Sequence, residues 1–484
     1  MSDQPLKVLL AASEVVPFAK TGGLADVAGS LPKALAAQGH DVRIVLPKYR
    51  AVTEAKIASR KVVGDLPVPP WAGLTVNIEQ SNAIEGVPTY LVVSDKHFDR
   101  GKLYGEPDDA VRFAVYQRAL LEMLPKLDWQ PDVIHCNDWQ TGLVPVFLKR
   151  MYADNPFYSG IATLYTIHNL AYQGAVPRYV LPELGLSWDL FTPDGVEFYD
   201  QLNPMKAGMV FADMISTVSK RYSEEIQTAE YGEKLEGVLS ARRDHLAGIV
   251  NGIDYEQWDP ATDPCLAAPF DVQSRARKRE NRAALRHDVK LPDDEVPLIG
   301  IISRLAAQKG FDLLAEVVPH LAKLEMQLVV LGMGEQHYHD LFSEFAIQYP
   351  DQVAVTLAFN DHLAHRIYAG SDMFLMPSRY EPCGLGQMIS LRYGNIPIVR
   401  ATGGLADTIT DFDRNTGKGN GFSFTEYTPL ALAATVFRAI EAYHHPKAWD
   451  QLVQNAMTCD FSWNVSAAKY VEVYRKAMQR RGAA

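Results

Sequence analysis

Short apolar runs alternate with glycine or polar turns and amphipathic stretches along the first half of the chain. Residues 7–12 form such a run, residues 20–26 form a glycine turn, and an amphipathic segment reaches about residue 38 before the next run at 42–46. This order predicts a βαβ unit that opens a doubly wound sheet. Further strands are predicted at 89–93, 132–135, 161–167 and 246–250, with a helix running into a strand at 205–219 and a helix at 108–124 that stops at Pro125.

A second βα series begins near residue 298. Strands are predicted at 298–303, 327–332, 352–357, 372–376 and 396–399, with helices at 310–324 and 361–369 and helical pieces from residue 427 onward. Between 254 and 297 the pattern weakens and four prolines occur, at 260, 264, 269 and 292. We interpret this segment as a connecting region whose basic run, residues 275–282, is a solvated helix face.

The hexapeptide Thr-Gly-Gly-Leu-Ala-Asp occurs twice, at residues 21–26 and 402–407. Each copy follows a predicted strand and precedes a predicted helix, which suggests two similar halves that each present a glycine loop to a shared crevice. We therefore predict an α/β fold of two Rossmann-like, doubly wound domains that face a central cleft. The predicted domains are residues 1–253 and 297–460, joined by a connecting region at 254–296 and followed by a C-terminal segment at 461–484.

Composition narrows the classes of partner. The 484 residues are 47% hydrophobic and 22% charged, which is ordinary for an α/β protein. The net charge of −11 disfavours nucleic acid and is compatible with a neutral polymer as substrate. The four cysteines lack C-x-x-C or metal-ligand spacing, so reduced thiols in the cytoplasm are expected. No apolar run resembles a secretory signal or approaches the ~18 residues of a membrane span, so no membrane partner is expected.

The stretch 378–387, Ser-Arg-Tyr-Glu-Pro-Cys-Gly-Leu-Gly-Gln, lies between a predicted strand and a predicted helix. A helix start offers unpaired N–H groups to a phosphate, and Gly384 and Gly386 allow a ligand to approach the backbone. Glu381 would repel a phosphate, so it suits neutral hydroxyls, and the combination suggests a nucleotide-sugar. The alternative is that Glu381 and Pro382 only begin the helix, with the acid near its N-terminus.

Several further residues fit a nucleotide-sugar site. Arg304 and Lys309 follow the first strand of the second half and could neutralise a departing diphosphate, although most such side chains are simply exposed. Lys20 precedes the first glycine loop and could reach the diphosphate, although a lone loop lysine is usually surface. Asp138 and His168 end predicted strands and could bind sugar hydroxyls. A structural histidine bonded to a backbone carbonyl is at least as compatible with the sequence.

Competing motifs are incomplete. Gly332-Met-Gly334 lacks the third glycine of the dinucleotide fingerprint, so no NAD cofactor is expected. His337 and His339 have no third ligand, so no metal is expected. Two other functions stay open: an NAD-dependent nucleotide-sugar epimerase or oxidoreductase, and a non-catalytic glucan-binding protein. The missing fingerprint disfavours the first, and the basic pair with Glu381 disfavours the second.

Six motifs resemble those of bacterial glycogen synthases and plant starch synthases, and the match spans nearly the whole chain, from about residue 8 to residue 470. They are Lys20-Thr-Gly-Gly-Leu-Ala-Asp26, His168-Asn-Leu-Ala-Tyr-Gln-Gly174, Asn251-Gly-Ile-Asp254, Ser303-Arg-Leu-Ala-Ala-Gln-Lys-Gly310, Ser378-Arg-Tyr-Glu-Pro-Cys-Gly-Leu385 and Thr402-Gly-Gly-Leu405. The resemblance implies a GT-B fold with an acceptor-glucan domain, a nucleotide-sugar donor domain and a C-terminal helix, residues 461–484, that returns to the first domain. It also implies metal-independent transfer of glucose from ADP-glucose to the non-reducing 4-hydroxyl of glycogen or another α-1,4-glucan, with retention of configuration.

The resemblance also implies roles for individual residues. Catalytic roles fall to Glu381 on the glucose hydroxyls, Arg304 and Lys309 on the diphosphate, and Asp138 and His168 at the glucosyl site, with His168 near the anomeric carbon. The resemblance implies that the donor is contacted by Lys20, Gly22 and Gly23. It implies that the phosphates are bound by the backbone of Cys383, Gly384 and Leu385. It implies that the acceptor is contacted by Glu14 and Tyr172. From the residues alone, ADP-glucose and UDP-glucose both stay open.

One position departs from the family pattern, because Gly386 stands where relatives often carry a polar side chain. A side-chain contact to phosphate is therefore absent there, while the backbone N–H remains. No second carboxylate is placed as a nucleophile, so we favour same-face attack in which the departing phosphate oxygen helps to deprotonate the acceptor.

Overall fold

The apolar runs form the central strands of two large sheets, each in its own compact unit. The computed structural model describes residues 4–482. Unit 1 contains the chain up to Gly252 and again from Trp463, and unit 2 runs from Ile253 to Ser462. Within residues 4–482, every helix is either too short or too polar to serve as a membrane span.

Unit 1 consists of a parallel α/β core with an antiparallel extension. Its strands are β1 (Lys7–Ala11), β2 (Asp41–Pro47), β3 (Arg60–Pro67), β4 (Thr75–Ser81), β5 (Thr89–Val93), β6 (Val133–Asn137), β7 (Ala162–Ile167), β8 (Val176–Pro177), β9 (Glu197–Phe198), β10 (Gln201–Leu202), β11 (Met214–Thr217) and β12 (Leu246–Gly248). Its helices up to Gly252 are α1 (Gly23–Ala37), α2 (Arg50–Glu54), α3 (Asp95–Phe98), α4 (Asp109–Lys126), α5 (Val144–Arg150), α6 (Pro204–Phe211), α7 (Lys220–Glu225) and α8 (Glu236–Ala241).

The large sheet of unit 1 has the order β12-β11-β7-β6-β1-β2-β5-β4-β3. The strands from β12 to β5 are parallel, and β6 and β7 are buried at every position, as expected when helices cover both faces. Strand β1 pairs with β2 on one side and with β6 on the other, so the direction of winding reverses between β1 and β6. Loops diverge at such a reversal and leave room for a ligand at the carboxyl ends of the strands.

Two parts of unit 1 are absent from the sequence-based prediction. Strands β3 and β4 extend the sheet in antiparallel pairing, and β8, β10 and β9 form a small separate sheet. Strand β3 buries only Leu66 fully, and β8 to β10 are two residues each. Neither set produces the continuous apolar run that identifies a core strand.

We predicted that the helix at 108–124 stops at Pro125, but α4 continues to Lys126 and contains the proline in its last turn. Proline has no N–H to donate to the carbonyl of Leu121, four residues earlier. The hydroxyl of Tyr158 donates to that carbonyl instead, at 2.9 Å. A tertiary hydrogen bond therefore replaces the bond that the proline removes, and the helix ends two residues beyond the predicted end at 124.

Unit 2 is a second parallel α/β domain. Its strands are β13 (Leu298–Ile302), β14 (Gln327–Leu331), β15 (Val353–Thr356), β16 (Met373–Met376), β17 (Ile396–Arg400) and β18 (Phe422–Phe424). Its helices are α9 (Lys278–Val289), α10 (Phe311–Leu321), α11 (Gln336–Gln348), α12 (Asp361–Gly370), α13 (Gly386–Arg392), α14 (Gly403–Thr408), α15 (Pro429–Tyr443) and α16 (Pro446–Met457). The order β15-β14-β13-β16-β17-β18, all parallel, is the doubly wound order with its reversal between β13 and β16. The predicted pair of Rossmann-like domains is confirmed.

The segment 254–296, predicted as a connecting region, is part of unit 2 and contributes α9. Its basic run is only partly the solvated face we predicted. Lys278 donates to the carbonyls of Tyr368, Ala369 and Tyr393, at 3.2, 2.7 and 3.1 Å, where α12 and α13 end. These orphan carbonyls and the negative end of each helix attract a cation, so a lysine from the run is drawn inward.

Helix α17 (Trp463–Gly482) belongs to unit 1, so the predicted return of a C-terminal helix is confirmed. It buries Tyr470 and Tyr474 against the parallel sheet. The Tyr474 hydroxyl lies 2.9 Å from Nδ1 of His135 on β6, and the hydroxyl of Ser466 donates to the carbonyl of Val250 at 2.6 Å.

Candidate active site

In unit 2, two loops meet at the reversal of the sheet, one after β13 and one after β16. The first contains Arg304 and Lys309, and the second contains Glu381 and the glycine turn of residues 384–386. The N–H of Arg379 donates to the carbonyl of Gln308 at 2.8 Å, and the Gln308 side-chain amide donates to the carbonyl of Tyr380 at 3.2 Å. Two loops 72 residues apart in sequence are therefore tied together by hydrogen bonds.

The ion pair between Lys309 and Glu381 is the centre of this junction. Lys309 Nζ lies 2.6 Å from Glu381 Oε2, and the Ser378 hydroxyl donates to the same oxygen at 3.0 Å. The two side chains are 18% and 8% exposed, so the pair is largely shielded from water. Gly310 fixes the turn after Lys309, because it has a φ of +76° and any side chain there would overlap the carbonyl of Pro377. The structure therefore brings two predicted residues into direct contact.

Arg304 differs from Lys309 in being exposed and unpaired. Its guanidinium makes neither an ion pair nor a hydrogen bond with any residue of the described range 4–482. It follows β13 at the carboxyl edge of the sheet. A guanidinium in this position is free to bind an anion with two parallel N–H donors.

The glycine turn of the second loop is stabilised by hydrogen bonds from the side chain of Gln387. Gly384 has a φ of +73°, and the Gln387 side-chain amide donates to the carbonyls of Cys383 and Gly384, both at 3.0 Å. A side chain at Gly386 would come within 3.0 Å of the Phe374 ring and 3.3 Å of the Tyr368 hydroxyl. In this chain the space for a larger residue at 386 is thus narrowed by two aromatic side chains.

The second copy of the hexapeptide packs on this turn. Gly404 donates its N–H to the carbonyl of Glu381 at 3.1 Å, and a side chain at Gly403 or Gly404 would overlap the carbonyls of Glu381 and Cys383. Only glycine permits this approach of two backbones. The second copy therefore supports the Glu381 loop.

In unit 1, the first copy of the hexapeptide is held by Glu14. One carboxylate oxygen accepts the N–H groups of Thr21 and Gly22, and the other accepts the hydroxyls of Thr21 and Tyr104. Glu14 is 4% exposed, whereas Gly22 and Gly23 lie on the surface. Lys20, which is half exposed, pairs with Asp26 at 2.7 Å. The carboxylate predicted to contact an acceptor is thus already occupied in shaping the loop.

Asp138 and His168 come together at the carboxyl ends of β6 and β7. Asp138 Oδ1 accepts the backbone N–H of His168 at 2.8 Å. Its backbone has φ 54° and ψ −177°, a region that is essentially limited to glycine and costs ~1–3 kcal/mol for other residues. Burial raises the pKa of Asp138 to about 7, against the lowering effect of the backbone N–H groups of His168 and Asn169. Strain and a shifted pKa at one residue are typical of a functional site.

The His168 ring is neutral, because burial lowers its pKa to about 3. Its Nε2 lies 2.9 Å from Oδ1 of Asn137, the last residue of β6. Tyr172, the other acceptor candidate, is 57% exposed in the loop that follows β7. Two further exposed tyrosines flank the small sheet in sequence: Tyr179 is 69% exposed and Tyr199 is 71% exposed. Beside them, Arg178 forms an ion pair with Asp200 at 2.7 Å.

A possible metal-ligand set lies elsewhere in unit 2. Oxygen, sulfur and nitrogen atoms of Asp263, Cys265 and His365 lie within 4.8 Å of one another. Asp263 Oδ2 accepts hydrogen bonds from His365 Nδ1 and the Tyr393 hydroxyl, both at 2.6 Å, and Oδ1 accepts the N–H of Cys265. Because both carboxylate oxygens are used within the protein, the cluster is explained as a hydrogen-bonded core that joins α12 and α13 to the segment before α9.

Comparison with known proteins agrees with this architecture. Residues 7–241 match the family described as starch synthase catalytic domain, and residues 284–456 match glycosyl transferases group 1. The glycogen synthase of Moorella thermoacetica is 52% identical over 486 residues, covering 100% of this chain and 99% of the relative. The chain belongs to the glycogen synthase and starch synthase family. The glycogen synthase of Geobacillus stearothermophilus, another member, is 48% identical over 98% of both chains.

A solved starch synthase structure agrees with this family. The catalytic domain of starch synthase IV from Arabidopsis thaliana, determined with ADP and acarbose bound, superposes with a TM-score of 0.87 at 36% identity, covering 98% of this chain and 100% of that one. The sucrose-phosphate synthase of Thermosynechococcus elongatus has a TM-score of 0.61 at 18% identity, which shows a shared fold alone. The protein is therefore a glucosyltransferase with the GT-B fold.

Sequence reasoning missed several residues that shape these sites. Tyr104 and Gln308 act on the predicted residues through contacts between segments far apart in sequence, which no local pattern reveals. Ser378 lies three residues before Glu381 in the same loop, and its role appears only in the folded loop. Asn137 stands directly before Asp138, and its position at a strand end was the available signal. Phe359 follows β15 and is 85% exposed, which is unusual for a large apolar ring at the carboxyl edge of a sheet.

Proposed function

We propose that this protein transfers glucose from ADP-glucose to the non-reducing 4-hydroxyl of an α-1,4-glucan such as glycogen, with retention of configuration. The observation that carries the proposal is the junction at the reversal of the unit 2 sheet. There, a shielded Lys309–Glu381 ion pair lies on two loops tied together by hydrogen bonds, and the loop after β13 also carries the unpaired cation Arg304. Cations for a diphosphate and a carboxylate for sugar hydroxyls are the groups that a nucleotide-sugar requires.

On the donor side, Arg304 and Lys309 neutralise the diphosphate as it leaves. The N–H groups of Cys383, Gly384 and Leu385 add donors to the phosphates without adding a charged side chain. Because the ammonium of Lys309 has three donors, it can bind a phosphate oxygen and keep its bond to Glu381. In the free protein the ion pair holds both groups in position, which lowers the cost of ordering them when the donor binds.

The exposed ring of Phe359 offers a flat surface at the same edge of the unit 2 sheet. A nucleobase stacked on an aromatic ring gains ~1–3 kcal/mol, which suits the adenine of the donor. Stacking of this kind accepts any base, so it supports nucleotide binding without selecting adenine over uracil. Selection of ADP-glucose is supported by the ADP bound to the plant starch synthase.

Unit 1 supplies the remaining groups. Asp138 and His168 line the glucosyl site, with His168 near the anomeric carbon, and Lys20, Gly22 and Gly23 contact the donor. Tyr172 stacks on the acceptor glucan, for which its 57% exposure is suitable. Glu14 acts on the acceptor side by fixing the glycine loop, because both of its oxygens already accept hydrogen bonds.

The reaction proceeds by same-face attack. The bond between the anomeric carbon and the phosphate oxygen breaks, the acceptor 4-oxygen forms the new bond on the same face, and its proton passes to the departing phosphate. Positive charge that develops on the sugar is stabilised by the ionised carboxylate of Asp138. A covalent glucosyl–enzyme adduct trapped during turnover would contradict this path.

Release of ADP from ADP-glucose in the presence of glycogen tests the proposal, with UDP-glucose measured in parallel. We expect turnover that depends on glycogen and prefers ADP-glucose. The Arg304→Ala variant should lose at least tenfold in kcat/KM, which corresponds to the ~1.5–3 kcal/mol of one charged hydrogen bond. Arg279→Ala removes another exposed arginine of unit 2 and is the matched control. Absence of glycogen-dependent turnover with either donor would contradict the proposal.

We also propose a cytoplasmic location. This is supported by the four cysteines, Cys136, Cys265, Cys383 and Cys459, all of which are free thiols.

A further inference from the structure

Asn137 lies at the end of β6 with its side chain enclosed by backbone. It is 1% exposed, and its amide nitrogen donates to the carbonyls of Ala11 and His135 at 3.0 and 3.2 Å. Both contacts require N–H donors, because a carbonyl only accepts. If the amide were turned over, its oxygen would face two carbonyl oxygens without a hydrogen between them. The orientation of the Asn137 amide is therefore fixed.

The fixed amide presents its oxygen to the His168 ring. Asn137 Oδ1 lies 2.9 Å from His168 Nε2 and can only accept, so Nε2 must carry the hydrogen. A neutral imidazole has one N–H, which leaves Nδ1 with a bare lone pair. Within residues 4–482, Nδ1 has no hydrogen-bond partner, and it is not one of the fully buried side-chain atoms left without a partner, so a ligand could reach it.

We infer that Asn137 is a positioning residue that locks His168 in the Nε2–H form, so that Nδ1 acts as an acceptor for a hydroxyl of the transferred sugar. The inference rests on the proposed function, which places His168 in the glucosyl site. In this arrangement His168 binds without transferring a proton. The site then selects a sugar with an O–H donor at one position, and a sugar that lacks that donor leaves the half-buried nitrogen unsatisfied.

The tautomer can be measured without turnover. In the full chain labelled with ¹⁵N in histidine, with the His168 signal assigned from a His168→Gln variant, we expect protonated Nε2 and unprotonated Nδ1 at neutral pH. In Asn137→Leu the acceptor is lost and the Nδ1–H form should appear. Asn281→Leu removes a buried amide of unit 2 that bonds the backbone of Ala268, and should leave the His168 signal unchanged.

Donor analogues test the hydroxyl contact. A series of ADP-glucose analogues, each with one sugar hydroxyl replaced by fluorine, removes one O–H donor at a time. We expect one analogue to lose about tenfold in affinity with the wild-type protein, the size of one net hydrogen bond, and much less with Asn137→Leu. Each comparison uses Asn137→Leu protein whose circular dichroism matches that of the wild type, because binding of ADP by unit 2 does not report the folding of unit 1.

The outcomes separate this inference from the proposed function. An Nδ1–H form of His168 in the wild-type protein, or an unchanged tautomer in Asn137→Leu, would overturn the inference and leave glucosyl transfer untouched. Equal loss for the critical analogue in both proteins would overturn the hydroxyl contact. Failure of glycogen-dependent ADP release would instead contradict the proposed function. The tautomer measurement does not depend on turnover, so it would still test whether Asn137 fixes the tautomer of His168.

Discussion

Replacing Lys309 by methionine should destabilise unit 2, even though a lysine near the surface is usually dispensable. Methionine has a similar length and no charge. Among residues 4–482, the change therefore leaves the Glu381 carboxylate, 8% exposed, with the Ser378 hydroxyl at 3.0 Å as its only partner. Removing one partner of a buried ion pair costs ~3–5 kcal/mol. Because Lys309 is 18% exposed and Ser378 remains, we expect the lower end, about 3 kcal/mol. For a domain of this size that corresponds to a fall of roughly 6–12 °C in unfolding temperature.

Calorimetry of the full chain without ligand measures this effect. The double variant Lys309→Met/Glu381→Gln removes the unpaired charge and should recover more than half of the loss, which would reveal coupling between the two sites. Lys323→Met is the matched control, because Lys323 is exposed and makes no ion pair within residues 4–482. An unfolding temperature of Lys309→Met equal to that of the control, or additive losses in the double variant, would refute the ion pair as a stabilising contact.

Three further predictions concern single side chains. Glu381→Ala should reduce kcat by several orders of magnitude, because the proposed contact of Glu381 with the sugar in the transition state would be lost; near-normal kcat in steady-state assays would refute its placement. With the pKa of Asp138 raised to about 7, its carboxyl is protonated below that pH, so kcat/KM should rise with pH through about 7, and Asp138→Asn should lack this limb. Tyr474→Phe should cost ~1–3 kcal/mol in denaturant unfolding, because Nδ1 of the fully buried His135 loses its partner at 2.9 Å; an unchanged midpoint would contradict that contact.

The parallel cores could be predicted because a strand buried on both faces is a continuous apolar run. Strand β5 agrees with the predicted 89–93 at both ends, and β13 is shorter than predicted by one residue. Strand β3 could not be found in this way, because most of its side chains meet solvent. The basic run at 275–282 resembled a solvated face because its partners, the ends of α12 and α13, come from about 90 and 115 residues further along the chain.

The site was predictable only as separate pieces. Glu381 and Arg304 could be proposed because each follows an apolar run and precedes a helix, which is where α/β sheets place functional side chains. The contact between Lys309 and Glu381 depends on β13 lying next to β16, and this adjacency is a property of the topology that neither loop encodes. The predicted roles of these residues stay predictions until they are tested.

The most direct test of the central claim is the affinity of the full chain for ADP, measured by titration calorimetry. If Arg304 and Lys309 bind the diphosphate, Arg304→Ala and Lys309→Met should each weaken ADP binding by about tenfold or more, the size of a charge-assisted hydrogen bond, while Arg279→Ala should bind as the wild type does. Unchanged ADP affinity in both Arg304→Ala and Lys309→Met would contradict the account.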